Sequence, residues 1–212
     1  MANMWLLIGI IAGIVIIAVA AVVLTSKGSG GNELQPIRGS AGTLSYETIS
    51  ASGTNTQSLT TPIGNGYYFC LEATWNATSQ ASSVAGPQSL TYAIQPLCPW
   101  VSSMHGTQES AVGVMTIYNA SKYTYVWGSF TSPSTNYSVN SSASELTVIP
   151  FACEAQGCGA LTLPSGCSTI TQSSDSNASV EIAVCADQSP GRYTISGPSG
   201  SSHGPNVYMF YS

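Results

Sequence analysis

Six cysteines, two histidines and nine carboxylates are the side chains in this 212-residue sequence with the most chemistry to offer. The cysteines are Cys70, Cys98, Cys153, Cys158, Cys167 and Cys185. Their number is even, and the last four crowd into FACEAQGCGALTLPSGCSTI and SVEIAVCADQ. In an oxidising compartment such a set forms disulfides. The last four are expected to pair among themselves, while Cys70 and Cys98 sit in separate strand-like runs that a bond between them would staple. Zinc is the rival use of these thiolates. It calls for closely spaced ligands, yet no Cys-x-x-Cys occurs and both histidines are remote in sequence from the cysteine cluster.

Nucleophilic or acid–base chemistry finds less support. His105 lies in SSMHGTQES and His203 in GSSHGPN, loop-like neighbourhoods where a solvated histidine is the ordinary case. There is no His-Glu-x-x-His and no phosphate loop. The acids Glu33, Glu47, Glu72, Glu109, Glu145, Glu154, Asp175, Glu181 and Asp187 are scattered. Glu145 and Glu154 bracket a strand-like run without forming a recognisable acid–base pair. The expectation is a non-enzymatic protein with no catalytic or metal site and no cofactor.

Five Asn-x-Ser/Thr sequons offer a different chemistry, sugar attachment. Their acceptors are Asn76, Asn119, Asn136, Asn140 and Asn177, and none has proline in the middle position. Several fall where turns are expected.

The segments that must carry these residues begin with an apolar run: residues 4–24 read MWLLIGIIAGIVIIAVAAVVL without a charge. At about 1.5 Å per residue a helix of that length covers roughly 30 Å, a bilayer's hydrocarbon core. Backbone groups in lipid must bond within the segment, so a transmembrane helix is expected. Trp5 suits an interfacial anchor, and Gly9 with Gly13 forms a small-xxx-small pair that lets helices approach closely. Ala18-Val19-Ala20 resembles a signal-peptide cleavage site, but the run is long for a signal core. Lys27 and Arg38 follow the helix and on charge alone would place the C-terminal side in the cytoplasm. The cysteines and sequons weigh more, and place it outside. Residues 27–40, KGSGGNELQPIRGS, read as a flexible linker, so the expected organisation is helix 1–26, linker 27–40 and a β-rich extracellular domain 41–212.

Charged residues make up only 6% of the chain, and Lys27, Arg38, Lys122 and Arg192 are its only basic side chains. A surface that tracks phosphates is excluded, and nucleic acid with it. Few carboxylates also means few ion pairs to lose in acid, so stability should change little between about pH 7 and pH 3. Ser and Thr, roughly a quarter of the residues, must supply solubility, with sugars where sequons are used.

Beyond residue 40, short runs rich in Tyr, Val, Ile, Thr and Trp alternate with turn clusters. They are TLSYETIS, GYYFCLEATW, SLTYAIQPL, AVGVMTIY, KYTYVWGSF, ELTVIPF, SVEIAVC, RYTISG and NVYMFYS. Gly64-Asn65-Gly66, Ser132-Pro133-Ser134, Ser189-Pro190-Gly191 and Gly197-Pro198-Ser199 separate them. No amphipathic helix is evident. The expected fold is an all-β ectodomain, a disulfide-stapled sandwich or jelly-roll-like barrel. The last run is apolar or aromatic on both faces, which suits a central strand, or one added to a neighbouring sheet. Tyr67, Tyr68, Tyr123 and Tyr125 could form a contact face for sugar or protein.

The hydrophobic helix, the scarcity of charge, the Ser/Thr/Asn/Tyr-rich β domain and the sequons together resemble surface and virion structural proteins of thermoacidophilic archaea and their viruses. The likeness is compositional and spans the chain. It implies a membrane-anchored, glycosylated protein on the extracellular face, assembling as a homo-oligomer with other virion or surface proteins in a tail, nozzle or spike. The plan is also similar to type IV-like pilins, although the break into glycines at Gly28 departs from it. A monomeric adhesion module, with a host receptor or glycan as partner, is the third expectation.

Overall fold

The computed structural model describes residues 36–52, 65–75, 80–90, 109–128, 132–140, 145–155, 158–175, 177–186, 188–198, 201 and 204–212. The apolar run with Gly9 and Gly13, most of the linker, Asn76, Cys98, His105 and His203 lie outside them. The chain divides into two compact units, Met1–Asn32 and Glu33–Ser212. All the described strands belong to the second.

The described residues form strands and connections, with no α-helix among them. Strands β1 (Ile37–Ala41), β2 (Leu44–Ser52), β3 (Gly66–Trp75), β4 (Gln80–Ser89) and β5 (Glu109–Tyr118) build sheet A in the order β1-β2-β5-β3-β4. Strands β6 (Lys122–Val126), β8 (Leu146–Glu154), β9 (Cys167–Asp175), β10 (Ala178–Ala186) and β12 (Val207–Tyr211) build sheet B in the order β6-β12-β8-β10-β9. A two-stranded sheet C pairs β7 (Ser134–Val139) with β11 (Gly191–Ser196). Every pairing is antiparallel.

Alternation along the strands decides how the sheets stack. In β5, Ala111, Met115 and Ile117 point into a core shared with Leu44, Phe69 and Leu71 of sheet A and with Val148, Val180, Ile182 and Phe210 of sheet B. Gly113 marks a close approach of the sheets: a Cβ there would sit 3.4 Å from Val180 Cγ2. On the other face of sheet B, Ile149, Phe151, Ala183, Val207 and Met209 meet Tyr137, Val139 and Ile195 of sheet C, with Leu161 from the connection between β8 and β9. Sheet B is therefore the middle of three layers. This explains why β8 and β10 are buried at eight successive positions each, where an antiparallel strand with one wet face would alternate.

Proline falls where a missing donor can be tolerated. Pro150 lies in β8, but the ladder from β12 stops at Val148, so Pro150 removes no bond to β12. Pro87 lies in β4, an edge strand of sheet A. Gly86 before it has φ +128, and a Cβ there would come within 2.7 Å of the Tyr68 carbonyl oxygen.

Two parts of the expected layout shift. Strand β1 begins inside the stretch read as linker, because residues 37–41 pair along β2 and Arg38 Nε meets Glu47 Oε2 at 2.8 Å. The two-sheet sandwich gains a third layer, β7–β11, where the sequence pattern indicated only the strand RYTISG.

Candidate functional site

Tyr123, Tyr125 and Trp127 alternate along one face of β6 and the residue after it, as strand geometry requires. Strand β6 is an edge strand of sheet B. On that face the rings join a continuous aromatic series. Tyr67 meets Tyr123 edge-on at 5.0 Å, Phe69 meets Tyr208 at 4.8 Å, and Tyr123 lies 5.8 Å from Phe210. Tyr125 lies 6.2 Å from Tyr208, its cross-strand partner, and Trp127 stands edge-on to Tyr125 at 5.8 Å. Such pairs contribute about 0.5–1.5 kcal/mol each beyond burial.

The series begins in the core and ends in solvent. Phe69 and Phe210 are fully buried, whereas Tyr125 is 53% and Trp127 61% exposed, the only exposed large hydrophobic side chains among the described residues. Tyr208 sits between: its hydroxyl donates to the Gly86 carbonyl at 3.3 Å, and burial, then the neighbouring Tyr123 and Tyr125 hydroxyls, push its pKa up to about 12. It therefore stays a neutral hydrogen-bond donor at any working pH. Trp127 is placed by its neighbour Gly128, whose N–H donates to Asn206 Oδ1 at 2.9 Å. A Cβ on Gly128 would collide with the Gly204 carbonyl oxygen at 1.8 Å, so only glycine fits. On the opposite face of β6, Lys122 Nζ lies 5.4 Å from the Tyr211 ring centroid.

The carboxyl groups hold the fold together. Glu181, 2% exposed, accepts the Leu161 N–H at 2.8 Å and the Thr169 hydroxyl, tying the β8–β9 connection to β10. Glu145 accepts the Thr43 N–H and hydroxyl, each at 3.0 Å, and the Ser212 hydroxyl. These bonds, the one from Ser212 foremost, lower its pKa. Glu72 moves the other way, because burial raises it.

These opposed shifts define an expected pH dependence. A lowered folded pKa contributes stability that is present above the unfolded carboxylate value and disappears as pH falls through the folded value. Glu72, with a raised folded pKa, opposes that loss on acidification. Glu145→Gln should therefore melt below wild type at pH 7, and the gap should close as pH is lowered to about 2. Calorimetric melts across that range measure it, and a gap that widens in acid would contradict the assignment.

Among the described residues no group of three or more His, Cys, Asp and Glu side chains could hold a metal. Cys153 bonds Cys158 and Cys167 bonds Cys185, so the four clustered cysteines pair among themselves. Cys167 and Cys185 face each other in register across β9 and β10. Cys70 is disulfide-bonded as well. Of the sequon acceptors, Asn119, Asn136 and Asn140 are exposed and Asn177 is half-buried. Of the tyrosines singled out in sequence, Tyr67, Tyr123 and Tyr125 converge. Tyr68 packs on the outer side of sheet A and donates to Gln88 Oε1 at 2.7 Å. Sequence reading passed over Trp127, although its spacing from Tyr123 and Tyr125 was the available signal. In sequence Glu181 is one of the scattered acids, inside SVEIAVC, and nothing in its spacing signals the two bonds it accepts.

No family model, curated protein or solved structure matches the chain. Among the described residues no helix is long and apolar enough to cross a membrane; the apolar run 4–24 lies outside them.

Proposed function

We propose that this protein is a non-enzymatic, membrane-anchored surface protein of an archaeal virus, whose β domain assembles with copies of itself into a tail-, nozzle- or spike-type structure. The virion setting rests on the compositional resemblance alone. Assembly rests on one observation: the only exposed large aromatics among the described residues lie together on an edge strand. An edge strand offers backbone groups for pairing, and proteins ordinarily blunt such edges. Strand β6 and the residue after it instead present Tyr125 and Trp127, residue types enriched at interface centres. A helical tether would hold copies at high effective concentration, so a modest lateral contact suffices.

The test is the size of the full-length protein in mild detergent, measured by light scattering. Truncating a central interface aromatic typically costs about 2 kcal/mol or more. Tyr125→Ser with Trp127→Ser should shift a wild-type oligomer to monomer that still unfolds in one cooperative transition. A monomeric wild type, or an oligomer that survives the double change, would refute assembly through β6. The same exposed rings favour a second reading, an adhesion module stacking on sugar. A monomer that binds glycan and loses binding in the double variant would support that one.

A further inference from the structure

We propose that Asn136 is a glycosylated residue and that the outer face of sheet C carries the sugar. The proposal rests on the reading of the domain as exported. Sequon chemistry needs the asparagine amide and the hydroxyl two residues on, and a strand puts positions i and i+2 on one face. In β7, Asn136 and Ser138 are both exposed while Tyr137 between them is buried. Thr194 Oγ1 donates to Asn136 Oδ1 at 2.7 Å across the β7–β11 pair, so Oδ1 is turned toward β11. The attaching atom, Nδ2, has no partner among the described residues. Asn136, Ser138 and Thr194 are exposed while Tyr137, Val139 and Ile195 face sheet B, so a bulky group on this face meets solvent.

The Asn119 and Asn177 sequons lack this combination, and the hydroxyl of the Asn140 sequon lies outside the described residues. Asn119 has φ 65, and its Nδ2 donates to the Thr43 carbonyl at 3.2 Å. Its Ser121 hydroxyl is 3.5 Å from the Tyr211 carbonyl oxygen. In the Asn177 sequon the hydroxyl belongs to Ser179, which is 4% exposed in β10. In the attachment step, Nδ2 of Asn136 bonds to the anomeric carbon of an oligosaccharide carried as a lipid phosphate or pyrophosphate ester. The anomeric C–O bond breaks, the phosphate leaves with the electron pair, and the amide loses one of its two protons.

Peptide mapping of the native protein from its source membranes or particles tests this. The interval between Lys122 and Arg192 is a single tryptic product, so chymotrypsin is used to part Asn136 from Asn177. The expected result is a sugar mass on Asn136, with Asn119 and Asn177 bare. Asn136→Gln and, independently, Ser138→Ala should each abolish that mass and the matching gel shift without altering the melt. Bare Asn136 beside sugar on Asn119, Asn140 or Asn177 would overturn the proposal and leave export standing. Bare sequons with oxidised cysteines would do the same. Bare sequons with reduced cysteines would overturn both.

Discussion

Val207→Asp is expected to yield no cooperatively folded protein. Val207 is 0% exposed, pairs with Val126, and faces the core between sheets B and C beside Ile149, Phe151 and Ile195. A carboxylate there would be desolvated among apolar side chains. That penalty is several kcal/mol, comparable to the roughly 5–15 kcal/mol by which a domain is stable at all. Tyr211→Asp, four residues on in the same strand, is the control. Tyr211 is half-buried and Lys122 lies over its ring, so the variant should fold and lose about 1 kcal/mol. Circular dichroism melts of the two variants distinguish the cases. A Val207→Asp protein melting within a few degrees of wild type would show that β12 is not held between two cores.

Glu181→Ala should be the next most damaging change, at about 3 kcal/mol. The Leu161 N–H loses its partner at a position that is 7% exposed, and the space the side chain filled is left behind. The exposed Thr169 hydroxyl can turn to water, so most of the effect falls on the β8–β9 connection. Glu181→Gln retains an acceptor oxygen and should lose about half as much. Urea unfolding gives the stability loss. Amide exchange at Leu161 gives its location, and in the alanine variant it should accelerate more than exchange in sheet A. An unchanged Leu161 amide would mean that the carboxyl does not hold this connection.

Strands that must bury side chains were legible in the sequence; those that need only one neighbour were less so. GYYFCLEATW coincides with β3 residue for residue, and AVGVMTIY, SVEIAVC and NVYMFYS lie within or within a residue of β5, β10 and β12. In these strands apolar content reports burial directly. The missed strands, β1, β4, β7 and β9, are all at sheet edges. Strand β4, QASSVAGPQS, contains a Gly-Pro that reads as a turn, and β9, CSTITQSSD, is mostly polar. A backbone ladder to one partner is enough to order an edge strand, whatever its propensity. The third layer escaped for the same reason, since β7 is short and polar at alternate positions. The aromatic edge was half legible: two of its tyrosines stood out by type. That Tyr125 and Trp127 are left uncovered while Tyr67 is tucked in depends on where sheet A ends over sheet B, which no local pattern encodes.

The position of β12 also has a consequence in time. It lies between β6 and β8, yet it follows every other described strand along the chain. As the chain is synthesised, β6 and β8 exist long before the strand that separates them, and each waits with an open edge. Unfilled edges of this kind are the usual route to wrong pairing between nascent chains. The middle layer, on which both outer layers pack, can close only once residues 207–211 have emerged.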